Sequence, residues 1–158
     1  RSSQNYPGIW RCFEEIRQRI MQLITISDVE YLAFQLAKEI LAFNEPIPDF
    51  SSRFPNILES CVLTPFQKFD SKSLYPSLIN KAGILFYLMI KNHPFENGNK
   101  RIAITTLLMF LHRNSKWLKV DIQELYQFTI WVAGSSPKVK NEVDAAIQKF
   151  IKTYLIDL

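Results

Sequence analysis

The chain is 158 residues long, 47% hydrophobic and 22% charged, the balance of one ordinary globular domain, which excludes a largely disordered chain. Four Gly and eight Pro are too few for a fibrous or low-complexity sequence. The longest apolar run, Ala82 to Ile90, is less than half of the roughly 20 residues a membrane helix needs, so a soluble protein with no membrane partner is expected. The net charge of +4 suits a phosphate-bearing ligand or an acidic partner, but it falls short of the dense basic stripe of a nucleic-acid binder. Cys12 and Cys61 are too few and too far apart for a metal knuckle or a disulfide framework; reduced, buried thiols and a cytoplasmic location are expected. The start, Arg1-Ser2-Ser3-Gln4-Asn5, is polar and lacks a Met, so no signal peptide is visible. Residues 1–26 read as an N-terminal helix, the remnant of a longer chain, ahead of a domain at 27–158.

Most of the sequence repeats at the helical period. Ile9, Phe13, Ile16, Ile20, Leu23 and Ile24 form one stripe; Val29, Leu32, Ala33, Leu36, Ala37, Ile40 and Leu41 form a second. Ser27 and Glu30, three apart before the second stripe, read as a capping box. Residues 44–73 break the pattern with Pro46, Pro48, Pro55 and Pro65, and read as an extended or hairpin-like excursion with one short helical turn near Asn56 to Cys61. Helix returns after Pro76 and is apolar nearly all round through Ile79 to Ile90, as is Arg101 to Arg113, so these two belong at the centre of the domain. After a polar turn at 113–116, one helix buries Ile122, Leu125, Tyr126, Thr129 and Val132, and a last one runs from Val139 to Leu155. No strand alternation occurs outside 44–73, and the expected fold is all-α with at most a small β-hairpin.

The stretch that carries chemistry lies between the two central helices: His93-Pro94-Phe95-Glu96-Asn97-Gly98-Asn99-Lys100-Arg101. Pro94 disfavours the α conformation at His93, so the first helix should end there with its imidazole at the C-terminal edge. Asn97-Gly98 signals a turn, and Asn99 is a candidate cap for the next helix. Lys100 and Arg101 then put two cations into a first turn, where the macrodipole favours anions by about 0.3–1 kcal/mol per charge. The mismatch is relieved if the helix start holds a phosphate, because free N–H groups, a glycine and a bidentate guanidinium together cradle an anion. Imidazole is the side chain that ordinarily changes charge near neutral pH, so His93 is the nearby group suited to take a proton from a hydroxyl. The parts describe phosphoryl or nucleotidyl transfer. The alternative is a helix-helix turn that happens to hold a backbone-satisfied histidine and two solvated cations.

These nine residues resemble the signature of the Fic/Doc family, His-Pro-Phe-x-(Asp/Glu)-Gly-Asn-(Gly/Lys)-Arg, and match it at every specified position except Asn97. The setting between two central helices resembles that family's helical bundle, with residues 27–158 as the Fic/Doc domain. Pro55-Asn56-Ile57-Leu58-Glu59-Ser60 resembles, more faintly, a segment of Doc-type members. The resemblance implies that His93 is the general base acting on a Ser, Thr or Tyr hydroxyl of a target protein. It implies structural anchoring by Pro94 and Phe95, and nucleotide phosphate binding by Gly98, Asn99, Lys100 and Arg101. The excursion at 44–73 would be a flap that registers the target beside His93 by strand addition. Asn97 stands where most members carry the carboxylate that holds Mg²⁺; an amide offers an oxygen but no charge, so metal affinity should fall or lean on the nucleotide's own phosphates. Lys100 matches the Doc branch rather than the AMP-transferring branch, which favours transfer of a phosphate from ATP, with elongation factor Tu the target by analogy and a toxin–antitoxin pair the setting.

No Ser or Thr has a Glu four residues later, so the family's self-inhibitory motif is missing from the sequence, and a separate antitoxin or an upstream segment would supply inhibition. AMP transfer by the same scaffold, and a degenerate member that binds nucleotide without catalysis, are the alternatives. Glu96 occupies the variable position of the signature and reads as solvated, with a second reading as a stand-in carboxylate if Asn97 does not bind metal. His112 reads as a capping or partly exposed histidine, and Thr105 and Thr106 as packed or bonded within their helix rather than against a nucleotide.

Overall fold

The computed structural model describes residues 21–40 and 47–158, with the side chains of Leu32 and Ile40 outside that description. Six helices and two short strand pairs are present among the described residues. Most of the expected N-terminal stripe, with Trp10 and Cys12, lies outside them. Leu23 and Ile24 are described and are not helical, because the chain must be extended at Thr25 for that residue to cap the next helix.

Helix α1 is a continuous run in three pieces, Ile26–Asp28, a π-helical stretch Val29–Ala33, and Phe34–Ile40. Its capping box is Thr25 with Asp28 rather than Ser27 with Glu30. The Thr25 hydroxyl accepts from the Asp28 N–H at 3.1 Å, and Asp28 accepts from the Thr25 N–H at 2.9 Å. Starting two residues earlier also lets the Asp28 carboxylate take both ends of the Arg113 guanidinium at 2.8 Å. Burial pushes the Asp28 carboxyl up, but the bonds from Thr25 and the charge of Arg113 outweigh it and leave its pKa lowered. Val29, Ala33, Phe34 and Ala37 form the buried face of α1.

The excursion is more helical than expected. A 3₁₀ turn at Phe50–Ser52 leads to α2, Pro55–Leu63, and then to another at Thr64–Phe66. Pro55 sits at the first helical position, where its missing N–H costs nothing, so here proline starts a helix instead of breaking one. Strands β1, Lys68–Phe69, and β2, Lys72–Ser73, form the expected hairpin, and Asp70 and Ser71 both take positive φ as a tight two-residue turn demands. Lys81, only 6% exposed, holds this hairpin by donating to the carbonyls of Pro65 and Tyr75 and to the Ser73 hydroxyl.

Helices α3, Leu78–Lys91, and α4, Asn99–Arg113, form the centre. Every residue of α4 from Arg101 to Leu111 is buried, as is α3 from Lys81 to Ile90 apart from half-buried Leu88. This is the all-round apolar character expected of core helices. Gly83 lets the helix that carries Gln148 come close, since a Cβ there would stand 3.3 Å from Gln148 Cγ. The Thr105 hydroxyl donates to the Ala33 carbonyl at 2.6 Å, tying α4 to the π-helical stretch of α1. Helices α5, Ile122–Gly134, and α6, Lys140–Tyr154, complete the bundle.

A second antiparallel pair was not expected from the sequence. β3, Lys116–Leu118, pairs with β4, Leu155–Asp157, so the polar turn after α4 runs into a strand and Leu155 leaves the last helix. The pair fastens the end of the described chain to the C-terminal end of α4, with Lys116 ion-paired to Asp157.

Candidate active site

Helix α3 stops at Lys91, capped by Asn92, whose N–H still donates to the Leu88 carbonyl at 2.9 Å. His93 then turns the chain with φ of +48°, a left-handed conformation that costs a non-glycine residue roughly 1–2 kcal/mol and leaves the imidazole exposed. Such strain is held in place by what surrounds it. Pro94 is buried, and its carbonyl accepts from the Phe54 N–H at 2.9 Å. Phe95, 1% exposed, packs its ring 5.7 Å from Phe34 and 5.9 Å from Phe50, centroid to centroid. The two expected anchors therefore nail the loop to α1 and to the segment before α2.

The loop closes on itself through Asn99. Its side-chain oxygen accepts from the Phe95 N–H at 2.9 Å and its side-chain nitrogen donates to the Phe95 carbonyl at 2.7 Å. The residue is 8% exposed. Asn99 is thus the first residue of α4 and not its cap; the capping position falls to Gly98, at φ +72° and ψ +11°. Asn99's side chain is spent on the loop, and what it can offer a ligand is its backbone N–H. The first backbone bond within α4 runs from the Ile102 N–H to the Gly98 carbonyl at 3.0 Å, so the N–H groups of Asn99, Lys100 and Arg101 precede the helical ladder.

A cleft of about 230 Å³ opens at this helix start. His93, Asn97, Gly98, Asn99, Lys100 and Arg101, named from six positions of one motif, all line it. Arg101 is 5% exposed, and a Cβ at Gly98 would stand 3.8 Å from its terminal nitrogen and 3.2 Å from Ile47 Cγ1. Glycine at 98 therefore serves both the backbone turn and the close approach of Ile47, while the guanidinium stands at ordinary contact distance. Glu96 lines the cleft as well.

One wall was not foreseen. Tyr126 and Ala133 of α5 line the cleft, although Tyr126 reads in the sequence as part of a buried stripe. Lys91 fixes that wall by donating to the carbonyls of Ala133 at 3.2 Å and Ser135 at 2.5 Å, bridging the ends of α3 and α5. No local pattern signals this, because the partners lie more than 40 positions apart.

The hairpin does not stand beside His93. None of its residues lines the cleft, and Lys81 holds it near the N-terminal end of α3, about 15 Å along the helix from Lys91 at the end that leads to His93. The part of the excursion that touches the motif is 47–54, through Ile47 and Phe54; residues 44–46 lie outside the described residues. His112 is exposed with an edge-on contact to Trp117, away from the cleft. Cys61 is fully buried, and burial pushes its thiol up to about 11. Among the described residues no helix is long and apolar enough to cross a membrane.

The fold and cleft define a helical protein in which an exposed imidazole and the start of a central helix line one cleft. The chain belongs to the Fic/DOC family, whose model matches residues 23–111. It is similar to a protein called Toxin Doc from Mycolicibacterium smegmatis, with 34% identity over 65 residues, covering 41% of this chain and 50% of that protein. The match thus spans about half the length of that relative. No solved structure matches the chain significantly.

Proposed function

We propose that this protein transfers a phosphate group from a nucleoside triphosphate to a hydroxyl of a target protein. The observation that supports the reading best is the gathering of His93, Arg101 and the N-terminal turn of α4 around one cleft. The polyphosphate would lie at the start of α4, where backbone N–H groups and the helix dipole favour an anion and Arg101 pairs with it directly. Lys100, half-buried on the same wall, adds a second positive charge. His93 would accept the proton of the attacking hydroxyl as its oxygen bonds to the γ-phosphorus, and the nucleoside diphosphate would leave. The target is a Ser, Thr or Tyr side chain, and elongation factor Tu is the candidate by analogy within the family. The similarity to a protein named as a toxin supports a toxin role with a separate antitoxin, acting in the cytoplasm.

Mg²⁺ would travel with the nucleotide. Among the described residues no group of three or more His, Cys, Asp or Glu side chains is placed to hold a metal ion. The cleft supplies one amide, Asn97, and one carboxylate, Glu96, a donor set that fits Mg²⁺ shared with phosphates rather than a protein-only cage. Bound there, the ion would neutralise charge developing on the transferred group.

Incubation of the protein and a cell extract with ATP labelled separately at the α and γ phosphates tests the reaction. Only γ-label retained on a protein supports phosphate transfer, whereas retained α-label establishes AMP transfer by the same scaffold. His93→Ala should abolish the label, and undiminished transfer by that variant removes the proposed base. The neutral Asn97 favours one other reading, a member that binds nucleotide without catalysis. Nucleotide binding with no label transferred, and transfer restored by Asn97→Asp, would establish it.

A further inference from the structure

We infer that Glu96 is the carboxylate on which the divalent cation of the bound nucleotide rests, a role that builds on the nucleotide reading of the cleft. A triphosphate brings two needs to this site. Its negative charge is met by Arg101, Lys100 and the helix start. Its divalent ion, which keeps several waters and takes one or two carboxylates beside the phosphates, needs an anionic oxygen from the protein. Asn97 cannot provide one. Glu96 is the one carboxylate among the described residues lining the cleft.

Its surroundings suit that task. Glu96 is exposed, so it keeps the waters that Mg²⁺ retains. It stands four positions before Lys100 and five before Arg101, both on the same cleft, yet forms no ion pair or hydrogen bond among the described residues. The residue before it is held firmly: Phe95 is buried in the ring cluster and clamped by Asn99. The carboxylate is therefore free while the backbone that carries it is fixed. Without a metal, a carboxylate beside a polyphosphate is repulsive; with a divalent ion between them, it is attractive. Glu96 thus makes the affinity for nucleotide depend on the metal, with opposite signs in the two conditions.

The probe is a non-hydrolysable ATP analogue carrying an imido bridge between its β and γ phosphates, titrated calorimetrically in EDTA and in Mg²⁺. The wild-type protein should bind it more tightly in Mg²⁺ by roughly 10-fold or more, the scale on which even an outer partner of a bound metal acts. Glu96→Gln should lose most of that gain while its affinity in EDTA stays the same or rises, an opposite response that general destabilisation does not produce. Asn97→Ala should retain most of the gain. If Glu96→Gln keeps the full Mg²⁺ gain, or Asn97→Ala alone abolishes it, the assignment to Glu96 is overturned and the cleft reading stands. If the wild-type protein binds the analogue in neither condition, the cleft reading falls and takes this assignment with it.

Discussion

Replacing Asn99 by alanine separates two roles that its place in the motif leaves merged. In the structure the side chain makes two buried bonds to Phe95, at 2.9 and 2.7 Å, and is itself 8% exposed. Alanine strands one N–H and one C=O in a place where little water reaches. Each unsatisfied buried group costs about 1–3 kcal/mol, so a loss of about 2–4 kcal/mol is expected once partial hydration is allowed for. For a chain of this size each kcal/mol lowers the melting temperature by roughly 2–4 °C, so the fall should be about 5–15 °C. Circular dichroism melts with urea titration read this directly, with nucleotide affinity measured well below the melting transition. Asn99→Asp should do no better, because it sets a carboxylate oxygen against the Phe95 carbonyl. A variant that melts with the wild type while losing nucleotide affinity would show that the side chain serves the ligand, and would refute the clamp.

Other consequences follow from the same geometry. Gly98→Ala forces a side chain into a left-handed position and against Ile47, so it should lower stability by about 1–2 kcal/mol in denaturant titration and weaken nucleotide binding by straining the turn that leads into α4. Asp28 has its pKa lowered in the fold, so its stabilisation is fully present above the unfolded value of about 3.9 and is lost as pH falls through the lower folded value. Asp28→Asn should therefore cost about 1–2 kcal/mol at pH 7 and flatten the stability curve below about pH 4, as read by urea midpoints across pH. In a Cys12→Ser background, Cys61 should resist a thiol reagent at pH 8 until the protein unfolds, since its pKa is pushed up to about 11 by burial. Rapid labelling of the native protein would contradict that packing.

The central helices and the site were legible in the sequence for different reasons. α3 and α4 announce themselves because core helices are apolar on every face, and the site because Pro, Gly and two misplaced cations each imply a specific local physics. What the sequence left hidden depends on partners far along the chain. Ser27 with Glu30 and Thr25 with Asp28 have the same capping spacing, so the sequence alone does not choose the start of α1; Arg113, 85 positions from Asp28, helps decide between them. The β3–β4 pair is too short to show alternation and joins Lys116 to Asp157. Proline density in the excursion reduced α2 to one short turn near Asn56 to Cys61, because Pro55 at a helix start and proline in a loop look alike before the helix is seen. Asn99 reads as a helix cap, whereas Gly98 holds that position and the Asn99 side-chain amide is committed to Phe95. The α5 wall of the cleft rests on Lys91 reaching two carbonyls on another helix, which no periodicity encodes.

The claim beneath all of this is that a polyphosphate sits at the start of α4. Backbone ¹⁵N NMR during titration with ATP tests it most directly. The amides of Gly98, Asn99, Lys100 and Arg101 are expected to shift together and saturate, and Arg101→Ala is expected to abolish the response. Saturable binding that leaves these four amides unmoved, or no binding at all, would contradict the account.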